Sequence, residues 1–326
     1  MITVSAQHEI LHEAEFMTQK IVTVIGGTGF VGRYAVQALA RAGYQVRVVA
    51  RSPQKYAELK TFGDVGQISL IKGNVNDMAS VAPALKGAFA VVNLVGILYE
   101  NRKQRFSAIH SVAAEKLAIA AKEAGVEKFV HISALGIEHE FGSSYARSKL
   151  LGERAILAAF PTATILRPSV IFGAEDGFFN KFAQMAIFSP FIPLIGGGKT
   201  LFQPVYVGDV AKAILTVIEH PETIGEIYEL GGRKTYSFKE LIEYVLAVIG
   251  RKRLLVDLPF YLASILANVL EHLPSQPLTR DQVKLLKFDS VVDKQAKTLL
   301  TLGIAPRAME DIVPLYLAKF GKKRQV

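Results

Sequence analysis

Tyr145 and Lys149 stand four residues apart in Tyr145-Ala146-Arg147-Ser148-Lys149, a spacing that puts both side chains on one face of a helix. An ammonium held near a phenol lowers the phenol's pKa, so the pair reads as an acid or base usable near neutrality. Twelve residues upstream, Ser133 closes an apolar run in His131-Ile132-Ser133-Ala134-Leu135-Gly136. Its hydroxyl can hydrogen-bond a substrate carbonyl and orient it for hydride delivery, with Tyr145 supplying the proton.

A hydride needs a carrier, and Ile21 to Gly32 supplies a place for one. The stretch reads IVTVIGGTGFVG: five strand-forming residues run into Gly26, Gly29 and Gly32, and an apolar helical pattern follows from Val31 to Ala42. Strand, glycine turn, helix is the context of dinucleotide binding. The glycines serve a tight turn, close backbone approach to a pyrophosphate and close helix–strand packing, while the helix N-terminus faces the phosphates. Thr28 and Phe30 lie within the turn. An NAD-selective site places an acid about twenty residues further on to hold the ribose 2′-hydroxyl. This chain has Arg51 there, beside Ser52. A guanidinium pairs with a 2′-phosphate in a bidentate fork, so the residues favour NADP(H) over NAD(H). After the third strand, Asn74 in Gly73-Asn74-Val75 either meets the adenine edge or caps its own turn. Asn93-Leu94-Val95-Gly96 ends the fourth strand on the path toward the nicotinamide.

These positions need a sheet to gather them. Strand signals at residues 21–25, 45–50, 68–72, 90–94, 128–132 and 163–167 alternate with helical stretches, clearest at 109–124 and 145–160. That alternation predicts an α/β fold, a doubly wound parallel sheet of Rossmann type, with ligands at the C-terminal strand ends. A helix over 211–219 and a last strand over 227–230 follow, and the chain from Gly231 onward reads as helical. Ser237-Phe238-Lys239-Glu240 opens one of these helices as a capping box, stopped at Gly250, and Thr279-Arg280-Asp281-Gln282 repeats the device. Gly198-Lys199-Thr200 is not a phosphate loop, because Pro193 occupies the place of the required first glycine. It reads instead as a loop over the cleft.

The chain has 326 residues, half of them hydrophobic and 21% charged, no cysteine and a formal charge of +9. A folded core is expected, and disulfides, thiolate metal sites and a cysteine nucleophile are excluded. No His/Asp/Glu spacing suggests a metal, and His110 and His131 read as structural. The positive charge is not arranged as a nucleic-acid stripe; its densest cluster, Lys319, Lys322, Lys323 and Arg324, reads as a solvated tail. Residues 1–16 lack a secretory pattern, and Met17 is an equally natural start. The most apolar window, Leu254 to Leu273, is too interrupted to span a membrane and reads as a helix, core-facing through Phe260, Leu262, Ile265 and Leu266, or membrane-facing. A cytoplasmic protein is expected.

GGTGFVG, Ser133 and YARSK resemble the extended or atypical branch of the short-chain dehydrogenase/reductase superfamily, the NAD-dependent epimerase/dehydratase type. Ala159 to Ala183, Gln203 to Val207 with Asp209, and Leu273 to Val283 are similar to the complex I alpha-subcomplex subunit nine family of NADPH-binding accessory subunits and its bacterial relatives. The resemblance implies that Gly26, Gly29 and Gly32 cradle the pyrophosphate, flanked by Thr28 and Phe30. It also implies that Arg51 meets the 2′-phosphate, Lys149 reaches the nicotinamide ribose, Pro168 with Val170 lies by the carboxamide, and Tyr145 holds the acid/base position. Asn74 stands where such proteins commonly have Asp. The implied division is a loose extension over 1–19, an NADP(H)-binding domain over 20–170 and 205–232, and a smaller, mainly helical cleft-covering domain over 171–204 and 233–326. The implied role is a nucleotide-loaded subunit or assembly factor of a quinone-linked complex, peripheral at the inner face of an energy-conserving membrane. The intact Ser133, Tyr145 and Lys149 keep a second role open, an active oxidoreductase or epimerase of a small or lipid-like carbonyl compound.

Overall fold

The computed structural model describes residues 20–101, 104–139, 142–273 and 276–321; the expected N-terminal extension and most of the basic tail lie outside them. Strand and helix alternate as β1 (Ile21–Ile25), α1 (Phe30–Arg41), β2 (Gln45–Ala50), β3 (Ile68–Lys72), α2 (Met78–Leu85), β4 (Ala90–Asn93), α3 (Ala113–Glu123), β5 (Lys128–Ile132), α4 (Ser144–Ala159) and β6 (Thr164–Pro168). They continue through β7 (Ile171–Phe172), α5 (Phe179–Phe188), β8 (Phe191–Ile195), β9 (Leu201–Phe202), β10 (Val205–Tyr206), α6 (Val207–Glu219), β11 (Ile227–Leu230), β12 (Tyr236–Ser237) and α7 (Phe238–Val248). Last come β13 (Leu254–Leu258), α8 (Phe260–Leu270), α9 (Arg280–Leu285), β14 (Lys297–Thr298) and α10 (Met309–Leu317).

Eight strands form one sheet in the order β14-β11-β6-β5-β4-β1-β2-β3. Every pairing within it is parallel. The chain works outward from β1 to β3, returns to β4 on the other side, and so leaves a crevice at the C-terminal ends of β1 and β4. Side chains alternate across the sheet. Val22, Val24, Val46 and Val48 pack with Val36 and Leu39 of α1 and with Val210 and Ile214 of α6. Ile25, Val49, Val91 and Phe129 face α2, α3 and α4 through Leu85, Leu117 and Ile156. Burying an aliphatic side chain on this scale is worth about 2 kcal/mol each, so both faces hold the strands in register. A third cluster lies off the sheet, where Phe172, Phe179, Ile192, Phe202, Phe238, Leu241 and Val313 join α5, α7 and α10.

Several expectations need correction. The chain beyond Gly231 is not all helix: β12 pairs with β9, β13 pairs with β8, and β14 joins the edge of the main sheet beside β11. β14 also falls inside the range expected for the cleft-covering part. The apolar window begins as strand over Leu254–Leu258, and Pro259 ends it before α8. Of the α8 residues expected to face the core, Phe260 does, packed against Ile195, Ala263, Ala267 and Val283, and the rest do not. Only Ala263 and Ala267 of it are buried, while Tyr261, Leu262, Ile265, Leu266 and Val269 are 66%, 41%, 63%, 42% and 63% exposed. Leu254 and its strand partner Phe191 extend this apolar surface. Finally, the helix expected over 109–124 opens as a turn of π-helix over Ser107–Val112. Among the described residues no helix is long and apolar enough to cross a membrane.

Candidate functional site

β1 runs through the glycine turn into α1. Gly26 has φ +84°, and a Cβ there would lie 3.2 Å from the Leu94 carbonyl carbon and the Val95 nitrogen, on the chain leaving β4. Both the dihedral and the backbone approach demand glycine. A Cβ on Gly32 would stand 2.3 Å from the Gly26 oxygen, so Gly32 lets the helix seat on its own turn. Gly29 differs: it is exposed, and a Cβ would meet only the Gly26 oxygen, at 3.4 Å. α1 has no side-chain cap and no acid in its first turn, whereas the Ser143 and Ser237 hydroxyls cap α4 and α7. The first-turn amides of α1 thus present an uncompensated positive end, which suits a pyrophosphate. Thr28 is half-buried in the turn, and Phe30 packs edge-on to Tyr34 with ring centroids 6.0 Å apart.

The other expected residues follow the C-terminal ends of neighbouring strands. Arg51 is exposed directly after β2, with Ser52 half-buried beside it. Asn74, exposed after β3, accepts the Asn76 amide on its Oδ1 at 3.1 Å, so its carbonyl caps the turn; Val75 packs below. Asn93 is buried and accepts the Val95 amide at 3.2 Å. A Cβ on Gly96 would point between His110 Nε2 at 3.7 Å and Lys149 Nζ at 3.9 Å. Pro168 is buried at the end of β6, and Val170 leans on the aromatic cluster.

Lys149 is buried on α4 and donates from Nζ to the Ile132 carbonyl at 2.7 Å, which sets it beside Ser133. Burial lowers its pKa to about 8, against a smaller raising effect of Glu153. Ser133 Oγ is buried without a hydrogen-bond partner among the described residues, an acceptor and donor left for a ligand. The expectation that Lys149 depresses the Tyr145 phenol is overturned. Burial first, and the Asp281 carboxylate second, push that phenol up to about 12. The Lys149 ammonium is engaged with the Ile132 carbonyl instead, and desolvation disfavours the phenolate. The phenol is therefore protonated at neutral pH. His110 lies edge-on to Tyr145, ring centroids 5.3 Å apart. Its Nε2 accepts the Ile97 amide at 3.0 Å, which leaves Nδ1 to donate to Ser148 Oγ at 2.9 Å. Ser148 in turn donates to the Tyr145 carbonyl at 2.8 Å. Burial, with Lys149 nearby, drops the His110 pKa to about 3, so the ring stays neutral in this tautomer. The chain of bonds ties the loop after β4 to the helix carrying Tyr145 and Lys149.

The profile of the NAD dependent epimerase/dehydratase family matches residues 22–231. The chain belongs to that family. It is 37% identical to the mitochondrial NADH dehydrogenase [ubiquinone] 1 alpha subcomplex subunit 9 of Arabidopsis thaliana, over 93% of this chain and 78% of that one. The same subunit of Mus musculus is 34% identical over 89% of this chain and 78% of its own length. A solved NADPH-dependent quinone oxidoreductase of Escherichia coli, in complex with NADPH, shares the fold with a TM-score of 0.71 at 20% identity, covering 90% of this chain and 99% of that one. Membership in the epimerase/dehydratase family makes a nicotinamide dinucleotide the cofactor class of this crevice.

Sequence reasoning passed over several residues that the epimerase/dehydratase fold brings to the site. Gly27 is one: a Cβ there would come within 2.9 Å of Val48, and the doubled glycine was its signal. Gly152 is another, because a Cβ would lie 1.9 Å from the His110 carbonyl oxygen, where α4 crosses the π-turn. Asp176 accepts the amides of Phe178, Phe179 and Asn180 at 2.9, 2.7 and 3.2 Å and the Tyr316 hydroxyl at 2.5 Å, fixing the start of α5. Asp281 carries no local signal at all, since its partners are Ser143 to Tyr145.

Proposed function

We propose that this chain is an NADP(H)-holding accessory or assembly subunit of respiratory complex I, the NADH:ubiquinone oxidoreductase, or of a related quinone-linked membrane complex. The observation that carries the reading is the 37% identity to subunit nine sustained over 93% of the chain. In this reading Gly26, Gly29 and Gly32 hold the pyrophosphate with the first-turn amides of α1. Asn93, Val95 and Gly96 line the middle, and Lys149, Pro168 and Val170 hold the nicotinamide end. Arg51, exposed where an NAD-selective site has an acid, pairs with a 2′-phosphate, so NADP(H) is preferred. The dinucleotide part is residues 20–170 with 205–232, and the remainder covers the cleft, apart from β14.

The same reading assigns a peripheral membrane contact to the exposed apolar surface of α8 and β13. Lys252 precedes β13 at the surface, and Lys287 stands 5.6 Å from the Phe260 ring. Apolar side chains with basic neighbours suit an anionic membrane face.

One observation favours a working oxidoreductase as the second reading. Ser133 Oγ, beside Lys149, has no hydrogen-bond partner among the described residues, and the Tyr145 phenol stays protonated. A substrate carbonyl could then take hydrogen bonds from both hydroxyls. The dinucleotide would supply the reducing equivalents and Tyr145 the proton.

The test is to purify the protein from its own cells, identify the nucleotide that accompanies it and the proteins that co-purify. NADP(H) together with complex I subunits is the expected result. NAD(H), or no nucleotide, would overturn the Arg51 argument. Tyr145→Phe and Gly29→Val separate the two roles. Complex I activity should survive the first and collapse with the second, whereas a null phenotype from Tyr145→Phe alone establishes the enzyme.

A further inference from the structure

The segment from Gln276 to Asp293 crosses the rim of the sheet over four consecutive strand ends. Gln276 Nε2 donates to the Glu100 carbonyl, beyond β4, at 3.2 Å. Past β5, Lys284 Nζ donates to the Gly142 carbonyl at 2.8 Å, and Leu285 packs on Ile137, Ala146 and Leu150. Past β6, Ser169 Oγ donates to the Ser290 carbonyl at 2.7 Å. At β11, Glu229 accepts the Asp293 amide at 2.8 Å.

The central contact of this strap is Asp281. Its Oδ2 accepts the Ser143 hydroxyl at 2.8 Å and the Tyr145 amide at 3.0 Å, while Oδ1 accepts the Ser144 amide at 2.7 Å. Ser143 Oγ accepts the Ala146 amide at 3.1 Å, and the Arg147 amide bonds to the Ser143 carbonyl at 3.0 Å. The opening amides of α4 are all satisfied, two of them by a carboxylate from more than 130 residues away. A carboxylate at a helix N-terminus also opposes the positive end of the dipole.

We propose that residues 276–293 form a strap that retains the dinucleotide, and that Asp281 is its positioning residue. By pinning the first turn of α4, Asp281 fixes Tyr145 and, one turn on, Lys149 against the strand ends where the nicotinamide half binds. The inference rests on the proposed dinucleotide role. The strap sets how long the nucleotide stays, so tight retention comes from a segment outside the glycine motif.

The experiment uses the full chain and measures two things: release of NADPH on dilution into excess unlabelled nucleotide, and hydrogen exchange at the Ser144 and Tyr145 amides without nucleotide. Asp281→Ala should speed release about tenfold, the scale of losing charge-assisted hydrogen bonds, and should raise exchange at both amides. Asp281→Asn, which keeps one acceptor oxygen and the side-chain shape, should fall between and guards against a variant that fails to fold. Lys239→Ala, which breaks an exposed ion pair with Glu243 on α7 away from the strap, should release at the wild-type rate. Faster exchange with unchanged release would overturn retention while leaving the helix cap. Unchanged exchange would overturn the positioning itself. A wild-type protein that binds neither NADPH nor NADH would overturn the functional reading, a result distinct from either.

Discussion

Lys149 shows how a side chain can be placed by one effect and tuned by another. Its hydrogen bond to the Ile132 carbonyl aims it at the crevice, and burial lowers its pKa from 10.5 to about 8. Below pH 8 both folded and unfolded chains hold this proton. Between 8 and 10.5 the unfolded chain still binds it after the folded chain has released it, so stability rises with pH. Denaturant melts of the nucleotide-free protein should show wild type gaining on Lys149→Met by about 1 kcal/mol per pH unit in that window. A flat difference would mean that the ammonium is solvated. Tyr145 carries the opposite lesson. The Tyr-x-x-x-Lys spacing correctly placed two residues on one face, but the direction of the phenol's shift depends on desolvation and on Asp281, neither visible in five residues.

At the scale of elements, the junction between α4 and the π-turn over Ser107–Val112 positions the residues proposed to hold the nicotinamide end. Gly152 permits it, since an added Cβ would sit 1.9 Å from the His110 oxygen. Gly152→Ala must push the two helices apart, at a cost of about 3 kcal/mol. Chemical denaturation should register that loss, and NADPH affinity should fall with it because Lys149 and the Ile97–His110 bond move together. An unchanged affinity would show that the junction is only structural. The six strands expected between residues 21 and 168 all form, with ends shifted by a residue at most. Each is a β-branched run bounded by turn residues, and two buried faces leave it little freedom of register. The π-turn was not legible, because it answers to the Gly152 approach rather than to any pattern in Ser107–Val112.

For the whole molecule, the exposed apolar surface of α8 is the feature that a soluble, isolated fold least explains. The protein should co-sediment with vesicles of anionic phospholipid. Ile265→Glu combined with Val269→Glu, both on the exposed face, should abolish this without changing the melting temperature or nucleotide content. Vesicle binding that survives the double substitution would place the membrane contact on another surface. The parallel sheet, its glycine turn and the Tyr-Lys pair were legible because each depends on residues close in sequence: a strand's alternation, a turn's backbone, a helix's one-turn repeat. Tertiary structure alone decided that β13 and β14 are strands and that one face of the apolar window points outward. It also decided that Asp281 closes the N-terminus of α4. Those outcomes turn on which distant surfaces meet, and burial or a long-range hydrogen bond leaves no mark on the local order of residues.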